Sequence, residues 1–143
     1  MKPIHIINGP NLNLLGVREP DIYGNTPFDM YLERLRDLYP SFDIIYFQSN
    51  HEGDIIDYLQ VEAADAHGVI INAGALSHYS YAIADAIRIL TCPVIEVHIS
   101  KIAAREPHRH VTVLTEVCDA MLQGFGLDGY RLALAHLVSR KPY

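Results

Sequence analysis

Short apolar runs that alternate with helix-period segments constrain this sequence more than any other feature. Residues 4–7, 42–47 ("FDIIYF"), 68–72 ("GVIIN") and 92–98 ("CPVIEVH") are strand-sized and rich in β-branched residues. Between them, residues 26–39, 53–67 and 77–90 carry helical spacing, the first entered through Thr26-Pro27, a cap followed by a first-turn proline. "CDAMLQGFG" reads as a last strand rather than a helix end, and "DGYRLALAHLVS" closes the chain as an amphipathic helix capped near Asp128. Strand, helix, strand in regular succession implies an α/β fold with a parallel sheet and helices on both faces. With no repeat or linker, the economical choice is a flavodoxin-like open sheet, with residues 1–143 as a single catalytic domain.

In such a sheet, ligands bind at the carboxyl ends of the strands, near the point where strand order reverses. That rule converts a linear pattern into a site. Asn11, Arg18 and Tyr23 follow the first run, and "QSNHEGD" the second. Asn72 and His78 follow the third, while Glu96, His98 and Ser100 end the fourth. Glu96 and His98 alternate along their run and are read as facing opposite sides of it, with Glu96 orienting a neighbour. Taken singly, an asparagine after a strand is as readily a turn residue, and a lone histidine is more often structural. Polar clusters at four successive strand ends favour function.

Several chemistries drop out. The loop at 8–25, "NGPNLNLLGVREPDIYGN", has neither glycine-rich phosphate pattern, so it is not built for a diphosphate. No G-x-S-x-G elbow is present, and Lys101 and Lys141 follow no apolar strand that would desolvate them for a Schiff base. His108 and His110 flank Arg109, but a closed zinc site needs three or four ligands and the spacing does not supply them. Cys92 and Cys118 lack C-x-x-C spacing and read as buried thiols. A net charge of −6 without a Lys/Arg run argues against nucleic acid or an anionic membrane as partner. No run approaches a membrane span and no signal peptide is visible, so a cytoplasmic location is expected.

What remains is acid–base chemistry without a cofactor. A tyrosine serves as base when a neighbouring cation favours its phenolate, and Arg18 and Tyr23 share a loop. A histidine on a facing strand end supplies the acid. Asn72, the backbone after His98 and the cationic "REPHRH" offer donors for a small carboxylated, hydroxylated substrate. A base, an acid and a carboxylate clamp describe a lyase or isomerase acting beside a carbonyl. Two rivals are a silent binding protein on the same fold and a metal-dependent hydrolase using His78, His98, His108 and His110.

The blocks "NGPNLNLLGVREPDIYG", "QSNHEGDIID", "INAGALSHYSYAIADA", "VIEVHIS", "AREPHRH" and "GFGLDGY" together resemble the type II 3-dehydroquinate dehydratases over essentially the whole chain. The resemblance implies a flavodoxin-like fold and anti elimination of water from 3-dehydroquinate through an enolate, with no cofactor, metal or Schiff base. It also implies a place in the shikimate pathway and a homododecamer built from trimers. Tyr23 matches the base, Arg18 the arginine that favours the tyrosinate, His98 the acid, and Asn11 the residue that positions a water at the enolate oxygen. Asn72, His78, Ile99, Ser100 and Arg109 match substrate-binding positions. Arg105 matches another loop arginine near the tyrosine. Asp85 corresponds to a position reached from a neighbouring subunit, and Glu96 to a partner of the histidine. The opening loop is then a lid, with Gly16 and Gly24 helping it move. Lys101, Tyr79 and His108 depart from the common pattern, and a cation at 101 is expected to lie beside the carboxylate clamp.

Overall fold

The computed structural model describes residues 1–17 and 19–140. Five parallel strands, β1 (Ile4–Asn8), β2 (Ile44–Gln48), β3 (Gly68–Asn72), β4 (Val94–His98) and β5 (Ala120–Gln123), lie in the order β2-β1-β3-β4-β5. Order reverses at β1, so the crevice above the β1/β3 boundary is where the fold opens a ligand site. Every residue of β1, β3 and β4 is buried, as expected of strands covered on both faces.

Alternate strand residues feed two cores. One face packs Ile4, Ile6, Ile70, Ile95 and Val97 against α2 (Phe28–Leu38) and α5 (Asp128–Ser139). The other packs Ile7, Val69, Ile71 and Val94 against α3 (Glu52–Val61) and α4 (Tyr81–Arg88). A one-turn helix, α1 (Pro20–Tyr23), sits in the loop after β1. Among the described residues, no helix is long and apolar enough to cross a membrane.

Helix boundaries differ from the sequence reading where a local cap competes. The segment expected as one helix over 77–90 is a 3-10 turn, Gly74–His78, followed by α4. The break falls where the Ser80 hydroxyl accepts from the Ile83 amide at 3.1 Å and starts a new helix. Thr26 makes no cap: Pro27 is itself the N-cap, in extended backbone, and α2 begins at Phe28. The helix expected to reach residue 67 ends at Val61, and the turn after it buries Ala63 and Ala66 against the sheet. The strand read into residues 120–123 is present.

Candidate active site

Two loops meet at the switch point because glycine lets their backbones touch. A Cβ on Gly9 would lie 2.5 Å from the Ala73 carbonyl oxygen, closer than any side chain tolerates. The Gly9 amide donates to the Asn72 carbonyl at 2.8 Å, which draws the loop carrying Asn11 over the end of β3. Asn11 adopts left-handed backbone (φ 68°) and its amide donates to Asn50 Oδ1 at 3.0 Å.

Asn72 is oriented from behind. Its Nδ2 donates to the buried Tyr130 hydroxyl at 2.9 Å, and its Oδ1 accepts from the Gly74 amide at 3.2 Å. The Tyr130 hydroxyl in turn donates to Asn8 Oδ1 at 2.7 Å, and burial pushes that phenol far above the usual tyrosine range. With one Nδ2 hydrogen spent, Asn72 keeps a second for the cleft it lines.

His98 ends β4 and donates from Nε2 to Glu96 Oε2 at 2.6 Å, with both side chains at most 5% exposed. This corrects the expectation that the two face opposite sides. Side chains alternate with a period of two along a strand, so residues 96 and 98 share a face. Burial is the largest influence on the Glu96 carboxyl and pushes it up. His98 and the hydroxyls of Thr115 and Thr112 together outweigh it, and hold the group below the usual carboxylate range. The buried acid is therefore a carboxylate with a histidine for its partner. The His78 ring stacks 6.2 Å from that of His98, and its Nδ1 donates to the Val111 carbonyl at 2.7 Å. Desolvation, helped by the nearby His98 and Arg109, lowers His78 from its ordinary value.

Tyr23 ends α1, is 9% exposed, and accepts from Arg105 Nη1 at 2.7 Å. The same nitrogen lies 3.5 Å from Ser100 Oγ. Arg18, the cation expected on this tyrosine, lies outside the described residues. Glu106 ties two arginines together, 3.8 Å from Arg105 Nε and 2.8 Å from Arg109 Nε, while the Arg105 carbonyl accepts from His110 Nε2 at 2.6 Å.

These groups surround one cleft, lined by Asn11, Tyr23, Asn72, His78, His98, Ile99, Ser100, Arg105 and Arg109. Pro10, Leu12 and Ile102 supply apolar wall. Base candidate, acid candidate and cationic clamp thus share a single space. Asp85 is not among the lining residues; it sits exposed on α4. Lys101, Tyr79 and His108 are exposed and also outside the lining, so the cation at 101 does not join the clamp. Among the described residues, no group of three or more His, Cys, Asp or Glu could hold a metal ion.

Sequence reasoning passed over Tyr130, Thr112 and Thr115. Tyr130 sits within the "GFGLDGY" block, but its reach to Asn72 crosses 58 positions and has no local signature. The Thr-x-x-Thr spacing at 112–115 was a visible turn signal, yet nothing local joins it to Glu96, 19 positions away.

Residues 2–138 match the family profile described as dehydroquinase class II. A 3-dehydroquinate dehydratase from Caldicellulosiruptor saccharolyticus is 50% identical over 138 residues, covering 94% of each chain. The Bacillus subtilis protein of the same name is 42% identical, covering 95% of this chain and 93% of its own. The crystal structure of the type II dehydroquinase from Butyrivibrio crossotus superposes with a TM-score of 0.92 at 44% identity, covering 96% of this chain and 98% of that one.

Proposed function

Because this chain belongs to the class II dehydroquinase family, we propose that it dehydrates 3-dehydroquinate to 3-dehydroshikimate by anti elimination through an enolate, using neither a metal nor a Schiff base. The observation that carries this reading is the pairing of two proton-handling groups across one cleft. Tyr23 faces it under the Arg105 guanidinium, and His98 faces it with Glu96 behind.

Tyr23 is the base that takes a proton from the carbon beside the ketone. A guanidinium on the phenol oxygen stabilises negative charge there; Arg105 fills that role, and Arg18 shares it. The electron pair moves into the ketone as an enolate, whose oxygen is met by a water held at Asn11. As the enolate collapses, His98 protonates the departing hydroxyl, and its Nε2–H bond to the Glu96 carboxylate stabilises the imidazolium before transfer. Asn72, the Ile99–Ser100 backbone, His78 and Arg109 bind the substrate carboxylate and ring hydroxyls. The substrate carries its own electron sink, the ketone, so the chemistry asks for no cofactor.

The reading extends to a cytoplasmic enzyme of aromatic amino acid biosynthesis, folded as a single catalytic domain and assembled as a homododecamer of trimers. Support for assembly is the exposed Asp85 on α4, together with Tyr79, Tyr81 and Val111, exposed by 61%, 70% and 71%. Asp85 then completes the site of a neighbouring copy. A sedimentation mass of one chain at micromolar concentration would contradict it.

The test is absorbance on adding 3-dehydroquinate, before and after a chelator and again after borohydride. The conjugated enone of the product forms at an unchanged rate under all three conditions, and Tyr23→Phe slows it by about 10³-fold. Failure of the folded wild type to form the enone would overturn the dehydratase reading and favour a silent binding protein. Loss of activity with chelator would favour a metal-dependent enzyme.

A further inference from the structure

The turn at residues 111–115 touches His78 directly and reaches His98 through Glu96, and nothing in the proposed reaction yet uses it. The Val111 carbonyl accepts from His78 Nδ1, and the Val113 amide donates to the Ser77 carbonyl at 2.8 Å. Thr112 Oγ1 accepts from the backbone amides of Leu114 at 3.2 Å and Thr115 at 3.1 Å. A hydroxyl oxygen has two lone pairs and one proton. With both lone pairs taken, Thr112 can only donate its proton, toward Thr115 Oγ1 2.8 Å away or toward Glu96. Thr115 then has one proton to give, and gives it to Glu96 Oε1 at 2.5 Å. The other carboxylate oxygen is left for His98 Nε2–H. Two backbone amides thereby make Thr112 a donor and leave the Thr115 proton for Glu96, whose other oxygen faces His98.

We propose that Thr115, backed by Thr112, is a positioning residue for the acid: it holds Glu96 as an acceptor, so that His98 carries its proton on Nε2 and meets substrate through Nδ1. The proposal rests on the dehydratase reading of the cleft. Thr115 touches neither substrate nor His98 and acts only through Glu96.

Removing the Thr115 hydroxyl takes a donor from a carboxylate whose residue is fully buried. The loss falls hardest on the deprotonated pair, carboxylate with neutral imidazole, because that state carries a net negative charge. The ion pair, net neutral, loses less. The pair therefore holds its proton to higher pH without Thr115. Other groups facing the pair are His78, Arg105 and Arg109 on the cleft side, and Cys118 behind, where burial pushes the thiol up and keeps it neutral. The strand residues beside Glu96, Ile71 and Met121, carry no charge.

The experiment compares full-length Thr115→Val, which keeps shape and removes the hydroxyl, with Thr115→Ser, which keeps the hydroxyl. Thr115 is exposed, so both variants are expected to fold, and melting curves check that. Thr115→Val lowers kcat by about tenfold, leaves KM for 3-dehydroquinate within about twofold, and moves the alkaline limb of kcat/KM to higher pH. Thr115→Ser restores at least half the wild-type kcat and the original limb. In ¹⁵N spectra of histidine-labelled protein, the His98 Nε2–H resonance is present in wild type and Thr115→Ser and shifted in Thr115→Val. Wild-type kcat and pH profile in Thr115→Val would overturn the proposal, as would equal impairment of the two variants. If the wild type does not dehydrate 3-dehydroquinate, the reaction reading falls, while the spectra still decide on Thr115: unchanged His98 resonances in Thr115→Val overturn its role.

Discussion

The two sides of the cleft are built in opposite ways. The side that carries the proposed acid is part of the sheet. Glu96 and His98 are the third and fifth residues of β4, both buried, in a strand paired to β3 and β5, with Thr115 behind the carboxylate. The side that carries the proposed base is a loop. Among the described residues between Asn11 and Gly24 the backbone takes positive φ at Asn11, Gly16, Glu19 and Gly24, and only short helical turns interrupt it. Glu19 (φ 41°) is non-glycine and precedes Pro20, a combination that stores strain. Tyr23 reaches the cleft through this loop and meets Arg105, itself on a loop after β4. An elimination needs its acid aimed before substrate arrives, whereas its base can be delivered by a segment that closes over the substrate. The architecture fits that division.

The sharpest way to break the comparison is to remove the partner of each proton-handling group. Glu96→Gln replaces the carboxylate opposite His98 with an amide, and should cut kcat by at least about 10²-fold. It should also lower the melting temperature, because a buried network is left half-satisfied. Arg105→Met should cut kcat by about 10-fold to 10²-fold, the proposed role of Arg18 being to share its task, and barely move the melting temperature. Equal destabilisation by the two substitutions, read by calorimetry, would erase the distinction.

Next in size is the contact that joins the loop to the sheet. Gly9→Ala puts a methyl 2.5 Å from a backbone oxygen and should cost about 2–3 kcal/mol in a denaturant titration, with KM raised as the loop shifts. Tyr130→Phe leaves Asn72 Nδ2 and Asn8 Oδ1 without their shared hydroxyl and should cost about 1–2 kcal/mol. Its kinetic signature is a raised KM with kcat nearly kept, since the proposed role of Asn72 is to bind substrate rather than to move a proton.

Acid sensitivity is the smallest effect, and it belongs to the sheet side. Glu96 is held below the ordinary carboxylate value in the fold, so its contribution is present above that value and lost as pH falls through the lower folded one. His78 and His5, both lowered by desolvation, take up protons less readily folded than unfolded. Their penalty begins as pH drops below the ordinary histidine value of 6.5. The melting temperature should therefore fall from pH 7.5 to pH 5 and fall faster below pH 4.5. A flat melting temperature across that range would contradict the assignment.

Much of this was legible because parallel strands advertise themselves. Runs such as "GVIIN" are apolar at every position, and the switch-point rule then placed Asn11, Asn72 and His98 together. The errors have physical causes. Glu96 and His98 were assigned to opposite faces although a two-residue separation on a strand means one face. The helix over 77–90 broke because a serine hydroxyl outcompeted continuation. Tyr130 was passed over, since its hydroxyl finds partners on strands far away in sequence. The cation on Tyr23 was sought on the same loop at Arg18, whereas Arg105 reaches it across 82 positions. Contacts of that range leave no periodic trace.

The most direct test of the division between a built-in acid and a loop-borne base is amide hydrogen exchange, with and without saturating 3-dehydroshikimate. Amides of 95–98 should exchange only through global opening, and be indifferent to ligand apart from the overall stabilisation that binding brings. Amides of 11–17 and 19–24 should exchange at least about 10³-fold faster in the free protein and slow sharply when the cleft is filled. Equal protection of the two segments without ligand, or a loop whose exchange ignores ligand, would contradict the account.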